Sequence, residues 1–352
     1  MKYLLKFLIL LFGTLSFSQE LIFENLFDSS LSSEIACYRI PSIITSTNGT
    51  LIAAIDERNN SCGDLKWNKN INIVLRKSYD DGKTWTKIER IIDYPIGESA
   101  SDPSMIVDRQ TKDIFLFYNY MNLDKAKDIY RFMVIKSNDN GESWSSPKDI
   151  TDQITKKEWK NDFMFITSGR GIQSEDGILL HCLVNLNKGT HVFGSNDHGK
   201  NWFLIDYPLK PGDESKIIEL SNGDWLVNSR VNSNKFRYSH ISKDKGKSWL
   251  SFENKDLSDP ACNASIINYN ISSEKLLLFS NAFDSNERKN LSLSISYDQG
   301  MSWKNNKTIY KGSSAYSSMT KLKNGDVGLF FEKDNYTKNV FVRVPKKWVL
   351  DK

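Results

Sequence analysis

Six short apolar runs recur along the chain, each entered from turn-forming residues. Asn48-Gly49 precedes 50–56, Thr111-Lys112 precedes 113–120, Asp176-Gly177 precedes 178–184, Asn222-Gly223 precedes 224–230, Ser273-Glu274 precedes 275–281, and Asn324-Gly325 precedes 326–332. The runs are short, rich in branched and aromatic side chains, and bounded by Gly, Asn, Asp and Ser. Such runs predict strands, and no stretch of any length carries the period of an amphipathic helix. Six strand-centred units are therefore expected.

A second pattern interleaves with the first. Ser78-x-Asp80-x-Gly82-x-x-Trp85 returns from Ser137, Ser195, Ser242 and Ser296, so one octapeptide falls in each of the five gaps between runs. Copies at intervals of roughly 50 residues are the signature of a repeat architecture. Each position has a local role. The Asp accepts from backbone N–H groups of its own turn, the Gly takes a positive φ, and the Trp buries an apolar face. Five such turns spread round a scaffold are structural parts, not five active sites. Six small antiparallel sheets in radial order make a six-bladed β-propeller, the all-β fold expected here. The apolar runs are expected to be its innermost strands. Leu21-Ile22-Phe23 and 340–344 are expected to share the last sheet and close the ring.

The first residues separate from this pattern. Met1 to Ser18 join a Lys-bearing start, an apolar middle and a small-residue end, as secretory signal peptides do, which leaves 19–352 as one domain. No second apolar stretch reaches spanning length, so no membrane span is expected. The 352 residues carry a net charge of only +4 without basic runs, which argues against nucleic acid or an anionic membrane as partner. The four histidines have no metal-ligand spacing, and no metal or organic cofactor is expected.

Certain charged residues break the scaffold's regularity. Arg39 lies in Tyr38-Arg39-Ile40-Pro41, Arg230 ends a predicted strand, and Arg288 follows another. Three guanidiniums from different units, if they converge, offer planar forks of donors to a carboxylate or phosphate. Position alone favours surface or ion-paired arginines.

The Tyr38-Arg39-Ile40-Pro41 start, the five octapeptides (Asp boxes) and Asn228-Ser229-Arg230 together resemble the exo-sialidases, in particular secreted bacterial ones, over essentially the whole mature chain. The resemblance implies that Arg39, Arg230 and Arg288 grip the carboxylate of sialic acid. It assigns Asp64 as general acid/base and Arg58 to the sugar pocket, with Asp56 as a competing candidate that reads as structural at a strand end. Asp102, before Pro103, either contacts the sugar's polar substituents or caps a turn. Tyr316 corresponds to the family's nucleophile, Glu214 to its base, and Glu332 to the residue that orients the first arginine. Cys37 and Cys62 adjoin stretches that this assignment brings to one pocket, and are the pair expected to form a disulfide.

The set makes chemical sense. The anomeric carbon of sialic acid bears a carboxylate, so an anionic nucleophile would approach against like charge. A neutral phenol avoids the repulsion, and sialidases with a Tyr nucleophile are known exceptions to the two-carboxylate rule. The expected activity is retaining hydrolysis of terminal sialic acid from glycoproteins, glycolipids or oligosaccharides. Transfer to another sugar, or internal displacement to an anhydro product, would use the same residues. A non-catalytic sialic-acid-binding propeller would keep the arginines and could dispense with the Tyr, Glu or Asp. All are present here, which favours the enzyme.

Overall fold

Turn-forming residues alternating with apolar runs give hairpins, and the hairpins give antiparallel sheets. The structure, a computed structural model, describes residues 20–271 and 274–351. The signal peptide expected over 1–18 lies outside the described residues. Among the described residues, two α-helices of four and five residues, Thr151–Ile154 and Lys346–Leu350, and three single 3-10 turns interrupt an otherwise all-β fold.

The first sheet runs Ile35–Thr45, Leu51–Asn59, Ile71–Ser78, Glu89–Ile92 in spatial order. The second runs Glu98–Val107, Ile114–Asn122, Arg131–Ser137, Lys148–Asp149, with Gly169–Arg170 added parallel on its edge. In the third, Met164–Ile166 and Ile172–Gln173 both pair Leu179–Asn185, which is followed by Gly189–Ser195 and Phe203–Leu204. The fourth holds Ser215–Glu219, Trp225–Ser229, Phe236–Ser242 and Leu250–Ser258. A seven-stranded sheet takes the rest. Its long strand Lys304–Lys321 changes partners midway: residues up to Ser313 pair Lys289–Ser296, and those from Ser314 pair Val327–Lys333. Phe23–Asp28 then adds to Lys338–Val344, with Phe23 opposite Val342, so the two ends of the described chain share one sheet.

The octapeptides are self-bonded turns. In the first, the Gly82 N–H donates to Ser78 Oγ (2.9 Å), and Thr84 donates to Asp80 from its N–H (2.9 Å) and its hydroxyl (2.7 Å). The same Ser-to-Gly bond closes at Gly141, Gly199, Gly246 and Gly300. Asp81 and Gly82 both have positive φ, 58° and 83°, as a left-handed reversal demands. A Cβ on Gly82 would lie 2.2 Å from the Phe341 ring, one on Gly141 2.5 Å from Ile52, and one on Gly199 2.4 Å from Phe115. Each turn therefore seats on the sheet before it. The apolar core follows the same joints: Leu180 and Val192 meet Ile217 and Val227, and Leu26 and Phe330 of the last sheet meet Ile43 and Leu51 of the first.

In one respect the arrangement differs from expectation. The strands that meet across the middle are Ile35–Thr45, Ser265–Ile271, the second half of Lys304–Lys321 and the added edge strand Gly169–Arg170, not the apolar runs. Ser42 Oγ donates to Gly169 O (2.5 Å), Ile43 N to Ser318 Oγ (3.1 Å), and Met319 N to Ser265 Oγ (3.0 Å). Converging strands leave little room, and small hydroxyl side chains fill it while satisfying backbone groups. The apolar runs lie one strand further out, where neighbouring sheets cover both faces; every residue of Leu179–Asn185 and Trp225–Ser229 is buried.

Candidate active site

Three strands at or next to the centre carry the same irregularity. The ladder jumps from Arg39 to Ser42, from Ser101 to Ser104, and from Ser314 to Ser317, leaving Ile40-Pro41, Asp102-Pro103 and Ala315-Tyr316 in bulges. Ile40 and Asp102 adopt φ of 69° and 63°. A β-branched residue there is strained, and such strain gathers at functional sites. A Pro, lacking the N–H, is tolerated where the ladder is already broken. The bulges re-aim the residues beside them toward one end of the central strands.

Tyr316 is the hub of that end. Its ring is almost wholly buried, with the Arg39 guanidinium carbon 5.7 Å and that of Arg288 5.4 Å from its centroid. Arg230 Nη1 donates to its hydroxyl (3.2 Å) and to Glu214 Oε2 (2.6 Å). Glu214 and Arg230 extend the same hairpin, Arg230 N donating to Glu214 O (3.0 Å), which explains their spacing in sequence. Glu332 is fully buried and accepts from Arg39 Nε (2.6 Å), Ile40 N (2.9 Å) and Tyr316 N (3.1 Å). One carboxylate thus fixes a guanidinium and two bulges. Arg288 donates to Ala261 O (3.0 Å) and to the Tyr336 hydroxyl (3.4 Å).

Electrostatics follow from this packing. Burial opposes the charge of Arg39 and of Arg230, yet Glu332 and Glu214 respectively raise their pKa above the usual arginine value. Burial, reinforced by the Glu214 charge, holds the Tyr316 phenol well above its ordinary pKa, while Arg230 and Arg288 pull the other way. The resting nucleophile candidate is therefore a neutral phenol.

A second group adjoins the first. Arg58, fully buried, donates to Asp56 Oδ2 (3.0 Å), Cys62 O (2.9 Å) and Asp64 Oδ1 (2.6 Å). Cys37 and Cys62 are joined in a disulfide that ties the loop bearing Asp64 back to the strand of Arg39. The Asp64 carboxylate is 66% exposed. Desolvation in its recess opposes ionisation, but Arg58 outweighs it, with help from Arg39 and Arg288, and the pKa falls below the usual carboxylate value. Asp56 is its opposite: buried, it accepts from Ser101 Oγ (2.6 Å) and Asp102 N (2.9 Å), and burial pushes its pKa up to about 6. Its contacts are those of a structural anchor for Arg58 and the second bulge. Asp102 accepts from Asn119 Nδ2 (2.9 Å), and burial beside Asp56 raises its pKa well above the ordinary value.

Several participants carry no recognisable signal in the sequence. Tyr336 lies with its ring 4.0 Å from the Arg39 guanidinium carbon and its hydroxyl on Arg288, joining two arginines. It reaches them from a turn in which Asp334, Asn335 and Tyr336 all have positive φ, and only the Asp-Asn pair hints at that turn. Asn232 accepts from Arg230 Nε (2.8 Å) and donates to Asp213, holding the guanidinium's far side. Cys262 packs beneath Tyr316 in the cluster with Ile40 and Ala315. Among the described residues no group of His, Cys, Asp or Glu is arranged to hold a metal ion.

Residues 49–329 match the BNR repeat-like domain family, and the chain belongs to that family of repeat proteins. Its relatives include bacterial sialidases. It is 29% identical to a sialidase of Bacteroides fragilis over 84% of the chain, and 32% identical to a sialidase of Micromonospora viridifaciens over 84% of the chain. It spans 60% and 50% of the lengths of those two relatives. Among solved structures, the Hadza microbial sialidase Hz136 superposes with a TM-score of 0.81 at 26% identity, covering 89% of this chain and 66% of that one.

Proposed function

We propose that this chain is an exported exo-α-sialidase that releases terminal sialic acid from glycoproteins, glycolipids or oligosaccharides with retention at the anomeric carbon. We also read the seven-stranded sheet as two blades that share Lys304–Lys321, which gives a six-bladed β-propeller; the turns seated on preceding sheets and the core that joins last sheet to first support this. The observation that carries the functional reading is the Tyr316 phenol, ringed by Arg39, Arg230 and Arg288 with Glu214 on the same Nη1.

The arginines take the substrate carboxylate, which lies on the carbon to be attacked, and so place that carbon beside the phenol. Arg230 and Arg288 also favour the anionic form of the Tyr316 oxygen as its proton leaves. Asp64 gives a proton to the leaving glycosidic oxygen. The Tyr316 oxygen forms a bond to the anomeric carbon as the glycosidic bond breaks, and its proton passes to Glu214. A phenol's pKa of about 10 makes it a weak nucleophile until a base receives that proton. Asp64, now a carboxylate, takes a proton from water, which displaces the tyrosine oxygen; Glu214 returns the proton to Tyr316.

Proton NMR of a sialyllactose digest tests this. The account expects the α-anomer of free sialic acid to appear first and mutarotate afterwards. First appearance of the β-anomer would contradict retention, and a 2,7-anhydro product would replace hydrolysis by internal transfer.

A further inference from the structure

Ile35–Thr45 and Lys304–Lys321, which carry Arg39 and Tyr316, run on to a second cavity of about 840 Å³, lined by Thr45, Gln173, Glu219 and Thr320 among others. Arg170 reaches into it from the edge strand Gly169–Arg170. Its Nη1 donates to Met319 O (3.0 Å), its Nε is buried with no partner, and it pairs with no carboxylate among the described residues. Arg170 is only partly exposed, and a guanidinium shielded from bulk water without an anion is costly; here desolvation, with Arg109 adding a like charge, pulls its pKa down to about 10. The remaining cations of the lining do not relieve it. Lys321 Nζ rests on Asn270 O (3.1 Å), Lys275 Nζ on Ser221 O (3.5 Å), and Lys323 has no carboxylate partner among the described residues. On the acidic side, Glu219 already accepts from Glu175 N (2.5 Å), and Glu175 is 93% exposed and 4.0 Å from Arg109.

We propose that this cavity is a second anion-binding site, separate from the Tyr316 cluster, in which Arg170 receives a sulfate or phosphate group, free or carried on a sugar. A tetrahedral oxyanion in the cavity can take guanidinium N–H groups that Arg170 leaves unused, and Arg109, Lys275, Lys321 and Lys323 in the lining favour multiple negative charge. The volume falls in the range of about 300–1,000 Å³ typical of small-ligand sites, so it accommodates a sugar that bears the anion. Thr45, Ser46, Asn268 and Thr320 in the wall offer hydroxyl and amide groups to such a body. The site stands whether or not the chain hydrolyses sialosides.

Isothermal titration of the purified protein with galactose 6-sulfate, sodium sulfate and unmodified galactose tests this, with Arg170→Met alongside. The expected result is binding of both sulfate compounds and not of galactose, weakened at least tenfold in Arg170→Met, with sialoside turnover unchanged in that variant. Tighter binding of galactose 6-sulfate assigns the anion to a sugar, and equal affinities assign it to the free ion. Should Arg170→Met not fold, Lys323→Gln must weaken the same binding two- to threefold. No binding to the wild-type protein overturns the proposal, as does undiminished binding to either variant, which would place the anion at Arg39, Arg230 and Arg288.

Discussion

Asp64 presents the sharpest chemical problem at the scale of single residues. A general acid must hold a proton, yet Arg58 at 2.6 Å keeps this carboxyl below its ordinary pKa. As pH rises above that lowered value, the protonated fraction of the free enzyme falls about tenfold per unit. The account therefore predicts that kcat/KM for a galactoside-linked sialoside declines as pH rises from mildly acidic to neutral. A 4-methylumbelliferyl sialoside, whose leaving group scarcely needs the proton, should decline less, and Asp64→Asn should harm it far less than the natural linkage. Equal pH profiles for the two substrates would remove Asp64 from the acid role. Arg39 and Arg230 sit in recognisable local spellings, whereas Glu214 and Tyr316 are marked by their placement and Asp64 stands in a loose spelling with Asp56 as a rival. The structure brings Arg39, Arg230, Glu214 and Tyr316 together and sets Asp64 beside them on Arg58. Tyr336 was not legible, since a tyrosine in a short turn spells nothing until left-handed backbone carries its ring over Arg39.

At the scale of elements, the octapeptide turns join one sheet to the next. Trp202 lies 5.0 Å from Phe117 and 5.9 Å from Phe193, with the Gly199 of the same turn against Phe115. Trp202→Ala removes a buried indole from that joint and is expected to cost about 3–5 kcal/mol, measured by urea denaturation. A loss below about 1 kcal/mol would mean that the turn is an ornament of its own sheet. The strands and turns were readable from punctuation and motif alone. Which strand lies at the centre was not, because apolar content marks burial on both faces, whereas the centre selects small hydroxyl residues such as Ser42, Ser265 and Ser318. The bulges had a partial signal in Ile40-Pro41 and Asp102-Pro103, where a proline falls inside a strand.

For the whole molecule, two families of carboxyl groups set opposite pH limits. Hydrogen bonds within the turns hold Asp80, Asp139 and Asp244 down at about 2. Burial opposes those bonds at Asp197 and Asp298, yet Asp197 still falls to about 2 and Asp298 below its ordinary value. Their folded pKa is depressed, so the stability they contribute is present above the ordinary value of about 4 and is lost as pH falls toward 2. Burial raises Asp56 to about 6 and moves Asp102 and Asp213 upward. Their protonated forms are the ones the fold favours, so their contribution is full below the ordinary value and is lost as pH rises through the raised one. Thermal unfolding should therefore peak at mildly acidic pH, between about 4 and 6. A Tm that climbs steadily to pH 8 would contradict this balance.

The central claim joins these scales: a scaffold of repeated sheets holds Tyr316 as a neutral nucleophile among three arginines. Hydrolysis of 4-methylumbelliferyl α-sialoside by the purified protein and by Tyr316→Phe tests it most directly. The account predicts fluorescence release by the wild-type protein and a loss of at least about a thousandfold in kcat for a variant that keeps its fold. Full activity in Tyr316→Phe would contradict the claim, as would a folded wild-type protein that binds the sialoside and releases nothing.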